Sequence, residues 1–457
     1  MTKFDSFKKY VSGKNISVLG IGISNLPLIK FLHENGAVVT ACDKKSTSEL
    51  GETASELLSM GIKLNCGENY LDNLSGEIIF KTPGMRFDLP ALENARRNGS
   101  IVTSEMEVFF EVCPSKIIAV TGSDGKTTTT TLIYNILKES GYKCHVGGNI
   151  GTPLLCKTDE ISPDDIVVLE LSSFQLHTMK KSANISVITN MSPNHLDVHK
   201  SYEEYIDAKK NIYIHGDKDS ILVVNKTNEK SYECKNDAKG TVRVFGYDSD
   251  CDVYSDGEFI FAFGKKLLKI SDIKIPGEHN VQNYMTAICA TYPLYKDAAV
   301  ITVAQNFGGV PHRIEFVREF KGVRYYNSSI DSSPNRTINT LKVFDKVILI
   351  AGGKDKGIPY DDLGEYLATK TKHLVLIGKT GPIIKEALDK YIAKTGIGKD
   401  ICTEFCTTYE EAVNSARLAA KEGDIVLLSN ASTSFDMFKN FEERGNLFKE
   451  IVNNLKD

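Results

Sequence analysis

Three segments of this chain carry the same local pattern, in which a short apolar strand runs into a glycine-rich turn. In the first two segments the strands, at residues 16–19 and 117–120, are each followed by an amphipathic helix. The third segment repeats the strands at 346–350, 373–377 and 424–428, again with glycine turns. Because strands that alternate with helices build mostly parallel sheets, the pattern predicts an α/β protein.

The length of the chain indicates how many domains it forms. At about 150 residues per domain, 457 residues predict about three domains. Turn-rich stretches near Pro114 and at 308–311 mark the boundaries, so we expect domains at 1–114, 115–310 and 311–457. Residues 216–275 alternate in short strands with Asp, Gly and Lys turns, which predicts an antiparallel extension of the central sheet.

The composition excludes several classes of protein. Hydrophobic residues make up 41% of the chain and charged residues 25%, and no apolar run predicts a transmembrane helix. The net charge of −4 creates no field that attracts nucleic acid or an anionic membrane, so neither is expected as a partner. The polar N-terminus has no signal-peptide core, which predicts a cytoplasmic protein. The ten cysteines form no Cys-x-x-Cys pair and are expected to be reduced.

The segment TGSDGKTT, at residues 121–128, is the strongest local signal because it lies between an apolar strand and a helix. Its small residues let backbone N–H groups point at phosphate oxygens, while Lys126 can neutralise phosphate charge and the Thr127 hydroxyl can ligate Mg²⁺. The full phosphate-loop pattern has glycine where this chain has Val120, so the loop is a shortened variant. A nucleoside triphosphate site is predicted, formed by Gly122, Ser123, Asp124, Gly125, Lys126, Thr127 and Thr128.

Two further positions are candidates for metal ligands. Glu170 ends the apolar run 166–169, and ligands gather at the carboxyl ends of parallel strands. A carboxylate there is costly to bury unless it meets a cation, although a strand-end Glu is also a common surface residue. His195 and His199 have the spacing of a zinc pair on a helix, but only Asp197 is near enough in sequence to add a ligand. Mg²⁺ at His195 is therefore favoured over zinc.

Seven motifs occur in the order in which they occur in the Mur ligases, and they span almost the whole chain. They are TGSDGKTT, LELSSFQL (169–176), NHLDVH (194–199), YIDAKKNIY (205–213), PGEHNVQN (276–283), PHR (311–313) and SFDMFKNFEERG (434–445). The chain thus resembles this family. The C-terminal motif is most similar to that of the members that add D-glutamate to UDP-N-acetylmuramoyl-L-alanine, whereas other Mur ligases and folylpolyglutamate synthases have versions of the central motifs.

The resemblance implies a fold and a reaction. The fold is a Rossmann-like N-terminal domain for UDP, a phosphate-loop ATPase domain with a mostly parallel sheet, and a Rossmann-like C-terminal domain for the amino acid. The reaction is ATP-dependent amide formation in peptidoglycan precursor synthesis, in which the substrate carboxylate becomes an acyl phosphate that the amine attacks. ATP and two Mg²⁺ ions are expected, UDP-N-acetylmuramoyl-L-alanine and D-glutamate are the expected substrates, and a monomer is expected.

The resemblance also implies roles for individual residues. Lys126 and Thr127 would bind phosphate and the first Mg²⁺, Glu170 and His195 would ligate metal, and Lys209 would be carbamylated and act as an oxygen ligand. From its sequence alone, Lys209 would be a solvated helix charge. The other positions that match the family are those for ATP, at Asn280, Asn283 and Arg313, those for the muramoyl-alanine portion, at Asn149 and Ser172, and those around ATP or D-glutamate, at Lys356, Ser434 and Phe441.

The first glycine turn, GIGISN at residues 20–25, is similar to a dinucleotide fingerprint but has Asn25 where the third glycine belongs. An NAD-dependent dehydrogenase is the alternative, but it leaves the phosphate loop without a role. The family places UDP in this domain. Asp43 would then face the ribose or the uracil, Ser24 and Asn25 the diphosphate, and Thr82 and Gly84 would lie in a second turn with backbone donors.

Two segments depart from the family pattern. Ser328 takes the position of an Asp, Ile330 that of a glutamate-binding Lys in some members, and Asp331 is a candidate to replace the Asp near ATP or its metal. Asn430 and Ser432 replace Pro and Cys near the amino-acid pocket. These departures leave two alternatives open: a sibling ligase for another amino acid, and a catalytically weak paralogue that binds a UDP-sugar.

Overall fold

The computed structural model describes residues 1–22, 24–193, 198–355 and 357–456. The chain divides into two compact units, one of residues 1–272 with 279–305 and the other of 273–278 with 306–457. Within the described residues, no helix is both long enough and apolar enough to cross a membrane. All ten cysteines are free thiols, of which four are buried and one is exposed.

The first sheet has five parallel strands in the order β3-β2-β1-β4-β5. Its strands are β1 (Asn15–Leu19), β2 (Val38–Asp43), β3 (Lys63–Cys66), β4 (Ile78–Phe80) and β5 (Ile101–Thr103). The helices are α1 (Lys3–Val11), α2 (Leu26–Glu34), α3 (Thr47–Leu50), α4 (Glu52–Ser59), α5 (Pro90–Arg97) and α6 (Glu105–Val112). This strand order brings the loops after β1 and β4 side by side at the carboxyl edge, where α/β sheets bind ligands.

The second sheet belongs to the same unit and has nine strands in the order β14-β13-β12-β11-β10-β9-β6-β8-β7. They are β6 (Lys116–Thr121), β7 (Cys144–Gly148), β8 (Ile166–Glu170), β9 (Ile185–Ile188), β10 (Ile221–Asn225), β11 (Thr241–Gly246), β12 (Val253–Ser255), β13 (Phe259–Ala262) and β14 (Lys265–Lys269). The helices are α7 (Lys126–Glu139), α8 (Ser173–Leu176), α9 (Tyr202–Lys210), α10 (Glu229–Glu233), α11 (Glu278–Thr291) and α12 (Asp297–Asn306), with short 3-10 turns at Leu155–Glu160, Cys234–Asn236 and Ile270–Asp272. One apolar core joins the first two sheets, since it contains Val18 of β1 and Val167 of β8.

The expected antiparallel extension over 216–275 is correct only for its second half. Strands β12, β13 and β14 pair antiparallel, but β10 and β11 are parallel to each other and to β9. The cause is α10, which returns the chain from β10 to β11 as a crossover helix. The short polar helix lacks an apolar face of sufficient length to be recognised in the sequence.

The third sheet forms the core of the second unit, in the order β15-β16-β20-β17-β18-β19. Its strands are β15 (Glu315–Phe320), β16 (Val323–Asn327), β17 (Val347–Gly352), β18 (Thr371–Ile377), β19 (Cys402–Cys406) and β20 (Ile425–Leu428). The helices are α13 (Pro334–Leu341), α14 (Leu363–Lys370), α15 (Gly381–Thr395), α16 (Tyr409–Ala419) and α17 (Phe441–Asn453). Among the described residues of this sheet, β15 pairs antiparallel with β16 and the other strand pairs are parallel. The predicted α/β fold with mostly parallel sheets is confirmed.

Candidate active site

The phosphate loop connects β6 to α7, and two of its glycines adopt conformations that other residues rarely adopt. Gly125 precedes the first helical residue with a φ of 76°, and Gly122 has a φ of 152°. A Cβ on Gly122 would lie 1.9 Å from Oγ1 of Thr189, so only glycine fits there. The loop therefore brings its backbone N–H groups and the positive end of a 14-residue helix to one place, which is a site for anionic phosphate.

Contacts with the neighbouring strand-end segment hold this loop in place. Oγ of Ser123 donates to the carbonyl of Ser192 at 2.9 Å, and the N–H of Asp124 donates to Oδ1 of Asn190 at 2.9 Å. Nζ of Lys126 donates to the carbonyls of Gly122 and Ser123, each at 2.9 Å, so the ammonium lies over the loop. Thr127 is buried and Thr128 half-buried at the first turn of α7.

Glu170 lies at the carboxyl end of β8, directly beside Val120 of β6, and only 2% of it is exposed. Its Oε1 accepts a hydrogen bond from Nδ2 of Asn149 at 2.7 Å, and its carbonyl accepts one from the N–H of Asn149 at 2.8 Å. Its Oε2 is buried and has no hydrogen-bond partner among the residues that the structure describes. A buried carboxylate oxygen without a donor fits a cation, so Glu170 suits a divalent metal such as Mg²⁺.

Lys209 is 1% exposed, and α9 directs its side chain at the phosphate loop. Nζ donates to the carbonyl of Gly122 at 2.8 Å and to Oγ1 of Thr121 at 3.2 Å, and it lies 4.6 Å from the centre of the Tyr205 ring. The pKa of this amine is held well below its usual value, mainly by burial and secondly by the nearby charge of Lys126. The lowered pKa favours the neutral amine, which is the nucleophilic form of a lysine.

His195 and Asp197 lie outside the described residues, and so does the zinc pair that His195 would form with His199. His199 itself is buried and shares a hydrogen bond between Nε2 and Oγ of Ser173 at 2.9 Å. Its Nδ1 is 3.7 Å from the carboxylate of Glu204, which is also 3.7 Å from Nε2 of His177. Because Arg86 donates to both oxygens of that carboxylate, at 3.0 and 3.2 Å, this cluster is a polar contact between α9 and the loop after β4.

Asn280 and Asn283 are buried on the first turns of α11 and contact each other and the phosphate-loop helix. Nδ2 of Asn283 donates to Oδ1 of Asn280 at 3.0 Å, and Oδ1 of Asn283 accepts from Oγ1 of Thr129 at 3.2 Å. A Cβ on Gly125 would lie 2.5 Å from that same Oδ1. The two amides thus lie beside the start of α7.

At the carboxyl edge of the first sheet, the polar side chains mainly support loops. Oδ2 of Asp43 accepts from the N–H of Ile21 at 2.6 Å, and Oδ1 accepts from the N–H of Lys45 at 2.9 Å. The buried Asn25 donates from Nδ2 to the carbonyl of Leu19 at 2.8 Å. A carboxylate has four acceptor positions, so Asp43 can still accept hydrogen bonds from a ribose or a uracil.

A cavity lies between the first and second sheets of this unit. Its lining comes from the loops after β1, β4 and β7 and from the starts of α6 and α8, and consists of Ser24, Asn25, Lys81, Pro83, Ser104, Glu105, Met106, Gly148, Pro153 and Gln175. Ser172 is the N-cap of α8 and exchanges hydrogen bonds with Gln175. Thr82, half-buried, packs near Gly20, and Gly84 is exposed.

In the second unit, Asp331 is buried in a network of hydroxyls. Its Oδ2 accepts from Oγ1 of Thr340 at 2.7 Å and from Oγ of Ser429 at 2.8 Å, and burial raises the pKa of its carboxyl. Ser328, in the position of the family's Asp, is fully buried beside it. The carboxylate thus joins the loop after β16 to the end of β20.

The remaining candidates of the second unit lie at its loops. Arg313 is exposed, Ser434 is buried, and Lys356 lies outside the described residues. The carbonyl of Phe441, the first residue of α17, accepts from Oγ of Ser329 at 2.8 Å.

Three family models match successive stretches of the chain. They are described as "Mur ligase MurD-like, N-terminal domain" for residues 14–104, "Mur ligase middle domain" for 120–291 and "Mur ligase, glutamate ligase domain" for 312–431. A protein of Ruminiclostridium cellulolyticum named "UDP-N-acetylmuramoylalanine--D-glutamate ligase" is 53% identical over 99% of both chains. A protein of Acetivibrio thermocellus with the same name is 54% identical over 100% of this chain and 99% of its own. The chain belongs to the Mur ligase family.

Solved Mur ligase structures share the fold at low sequence identity. The UDP-N-acetylmuramate-alanine ligase MurC of Thermotoga maritima aligns with a TM-score of 0.58 at 20% identity, covering 97% of this chain and 100% of that one. MurF of Acinetobacter baumannii aligns with a TM-score of 0.58 at 15% identity, covering 98% and 92%. At such identities, the likeness concerns the fold alone.

Lys81 and Arg444 of this Mur ligase are buried cations that were not singled out from its sequence. Lys81 follows β4 and lines the cavity described above, and Arg444 is buried on α17, where it donates to the carbonyl of Ser329 at 2.7 Å and to that of Ser432 at 3.1 Å. For Lys81 a signal existed, namely a basic residue between the apolar run 78–80 and the turn TPG. For Arg444 the signal was its place in the motif SFDMFKNFEERG, because an Arg among Glu residues at the start of a helix is otherwise typical of a solvated surface.

Proposed function

We propose that this chain is an ATP-dependent, ADP-forming ligase that adds D-glutamate to UDP-N-acetylmuramoyl-L-alanine in peptidoglycan precursor synthesis. The observation that carries this proposal is the meeting of three features: a phosphate loop, a buried carboxylate oxygen of Glu170 without a donor, and a buried lysine, Lys209, bonded to that loop. ATP dependence is general to Mur ligases. The substrates are those in the printed name of the relatives that are 53% and 54% identical.

The chemistry explains why such a site is needed. A carboxylate at neutral pH is a poor electrophile, so its oxygen first takes the γ-phosphoryl group of ATP and ADP leaves. The acyl phosphate is then attacked by the amine of D-glutamate, the amine loses a proton, and phosphate leaves with the amide formed. Two anions must approach one another in the first step, and the loop N–H groups with Lys126 offset their repulsion.

Thr127, Glu170, His195 and Lys209 are the residues that would hold two Mg²⁺ ions. Bound Mg²⁺ supplies positive charge that offsets the repulsion between the carboxylate and the γ-phosphate. The ammonium form of Lys209 would repel a metal, whereas the neutral amine can attack CO2, forming an N–C bond and releasing a proton. The resulting carbamate is an anionic oxygen donor, and the lowered pKa of Lys209 favours its formation.

The other candidate residues complete the proposal. Gly122, Ser123, Asp124, Gly125 and Thr128 would bind the phosphates of ATP with Lys126 and Thr127. The remaining assignments are those for ATP, at Asn280, Asn283, Arg313 and Asp331, those for the UDP-sugar, at Ser24, Asn25, Asp43, Thr82, Gly84, Asn149 and Ser172, and those around D-glutamate, at Lys356, Ser434 and Phe441. Domains at 1–114, 115–310 and 311–457, cytoplasmic action and a monomeric state remain predictions.

A sibling ligase with another amino acid is the second candidate, because Ser328 and Ile330 replace an Asp and a Lys of the family pattern. Offering D-glutamate, L-glutamate, L-lysine and meso-diaminopimelate separately with UDP-N-acetylmuramoyl-L-alanine separates the two. If the proposed function is correct, D-glutamate is the one amino acid of the four that supports turnover. Turnover with another amino acid and none with D-glutamate would transfer the assignment to the sibling.

Isotope transfer tests the acyl-phosphate route. With ¹⁸O in both carboxylate oxygens of UDP-N-acetylmuramoyl-L-alanine, one ¹⁸O should appear in each phosphate released, because that oxygen bridges carbon and phosphorus in the intermediate. Phosphate without ¹⁸O, released together with the amide product, would contradict the route.

A further inference from the structure

Lys81 is a buried cation whose side chain lines a cavity. It follows the last residue of β4, and its N–H donates to the carbonyl of Thr103 at 2.8 Å, which fixes its backbone at the sheet edge. Although only 3% of the residue is exposed, it lines the cavity between the first and second sheets together with Ser24 and Asn25. The side chain is thus directed into a cavity and not into bulk solvent.

Within the described residues, the ammonium of Lys81 has no hydrogen bond and no ion pair. The carboxylate whose charge acts on Lys81 is that of Glu107, whose Oε2 accepts from Oγ of Ser104 at 2.8 Å. Burial lowers the pKa of Lys81, which means that the folded chain loses free energy by holding this charge. A buried cation is normally matched by an anion, and here the protein does not supply one in contact.

Features of the same cavity indicate which anion fits. Ser24 and Asn25 immediately precede the nine-residue helix α2. The N–H of Leu26 donates to the carbonyl of Gly22 at 2.8 Å, so the start of this helix attracts an anion through the positive end of its dipole. Glu105, also in the lining, accepts the N–H of Leu155 at 2.8 Å, and burial raises the pKa of its carboxyl to about 7. Because the carboxyl groups of Glu105 and Glu107 lie close by, an anion can enter this cavity only if a cation offsets their negative charge.

We propose that Lys81 binds the diphosphate of the UDP-linked substrate. The inference rests on the proposed function for the identity of the substrate, but it assigns a contact to a residue that the resemblance left without a role. The diphosphate is favoured over the substrate carboxylate, because the carboxylate has to reach the phosphate loop and Glu170, whereas Ser24 and Asn25 follow β1. Lys81 thereby determines affinity for the diphosphate and takes no part in the chemical step.

Binding measurements without turnover test the assignment. The affinities of UDP and of uridine are compared by ligand-observed NMR titration, which covers millimolar affinities, for the wild type, Lys81→Met and Lys81→Arg. A matched control is Lys63→Met, at an exposed lysine of the same sheet. Lys81→Met should weaken UDP binding at least about tenfold and leave uridine binding unchanged, since a charge-assisted contact of this kind contributes about that much. Lys81→Arg and Lys63→Met should stay within about threefold of the wild type.

Two other outcomes overturn the proposal. Equal loss of UDP and uridine affinity in Lys81→Met would indicate that Lys81 acts through the fold, and unchanged UDP affinity would indicate that it makes no contact. Turnover by the wild type would leave the proposed function intact in both cases, whereas a wild type that binds no UDP would end both proposals.

A structure of the wild type with UDP decides the matter independently, should Lys81→Met fail to fold. Nζ of Lys81 within hydrogen-bond distance, about 3.5 Å or less, of a diphosphate oxygen supports the assignment. A distance beyond about 5 Å, or contact only with another anionic group, refutes it.

Discussion

Asn149 is joined to Glu170 by two hydrogen bonds, one from its side-chain Nδ2 to Oε1 at 2.7 Å and one from its N–H to the carbonyl at 2.8 Å. The pair arises because β7 lies beside β8, with Gly148 in register with Glu170. One carboxylate oxygen is thereby fixed, and the buried Oε2 is left for a cation. A ligand that is oriented by a neighbour loses little freedom when it binds metal.

Replacing Glu170 by Gln should reduce kcat at least about 100-fold, because a neutral amide cannot offset metal charge as a carboxylate does. The fold should persist, since Gln has the same shape and can still accept from Asn149. Phosphate release over a range of Mg²⁺ concentrations measures the loss, and Glu139→Gln, at an exposed residue of α7, is the control. Activity of Glu170→Gln equal to that of the control would exclude a metal role for Glu170.

Replacing Lys209 by Ala should abolish most activity, by about 100-fold or more, and added acetate or formate should restore part of it. The reason is that a small carboxylate can occupy the space of the missing carbamate. The neighbouring Lys210, which pairs with Asp237 at 2.8 Å, offers a matched control as Lys210→Ala. If short carboxylates have the same effect on both variants, carbamylation of Lys209 loses its support.

Replacing Gly125 by Ala should destabilise the chain and weaken ATP binding. A left-handed φ costs an alanine about 1 to 2 kcal/mol, and the new Cβ would also lie 2.5 Å from Oδ1 of Asn283. Gly13 has a φ of 77° and open space around it, so Gly13→Ala measures the cost of the backbone alone. The unfolding temperature should fall further for Gly125→Ala than for Gly13→Ala, and only Gly125→Ala should bind ATP less tightly. Equal falls would mean that the contact with Asn283 carries no free energy.

The buried carboxyl of Glu105 should make the protein less stable as pH rises. Burial raises its pKa from 4.5 to about 7, so between these values the folded chain keeps a proton that the unfolded chain has lost. The free energy of unfolding therefore falls as pH rises through this window, and the loss is complete above about pH 7.

Glu105→Gln should remove this loss and be about 1 to 3 kcal/mol more stable than the wild type at pH 8, while differing little at pH 4. Unfolding temperatures between pH 4 and 8 measure the effect, with Glu111→Gln on the exposed side of α6 as the control. Parallel curves for Glu105→Gln and the wild type would show that Glu105 titrates normally.

Much of the fold could be predicted from the sequence because the information is local. Four apolar residues of the predicted helix after the phosphate loop, Leu132, Ile133, Ile136 and Leu137, are all buried on α7. Strand β1 begins one residue before its predicted start, at Asn15, and β6 likewise begins at Lys116. Apolar periodicity and glycine turns in the sequence predict such elements directly. The segment of α10 has too little of either signal, so the crossover from β10 to β11 was not predicted.

The contacts of the candidate site could not be predicted in the same way, because they depend on strand order and helix docking. The sequence of α9 is rich in charged residues, so Lys209 has the pattern of a surface lysine until the helix packs against the phosphate loop. The bond between Asn149 and Glu170 requires β7 and β8 to be neighbours, and nothing within either strand encodes that. Without the family resemblance, Lys209 and Asn149 would not have been placed at the site, whereas Glu170 was a candidate from its position at the end of an apolar strand.

The most direct measurement is phosphate release from ATP with UDP-N-acetylmuramoyl-L-alanine, with and without D-glutamate, together with the mass of the nucleotide product. Release that depends on both substrates, with a product heavier by one glutamyl residue, is the predicted result. Phosphate release that does not depend on D-glutamate, or no release with any amino acid offered, would contradict a D-glutamate ligase.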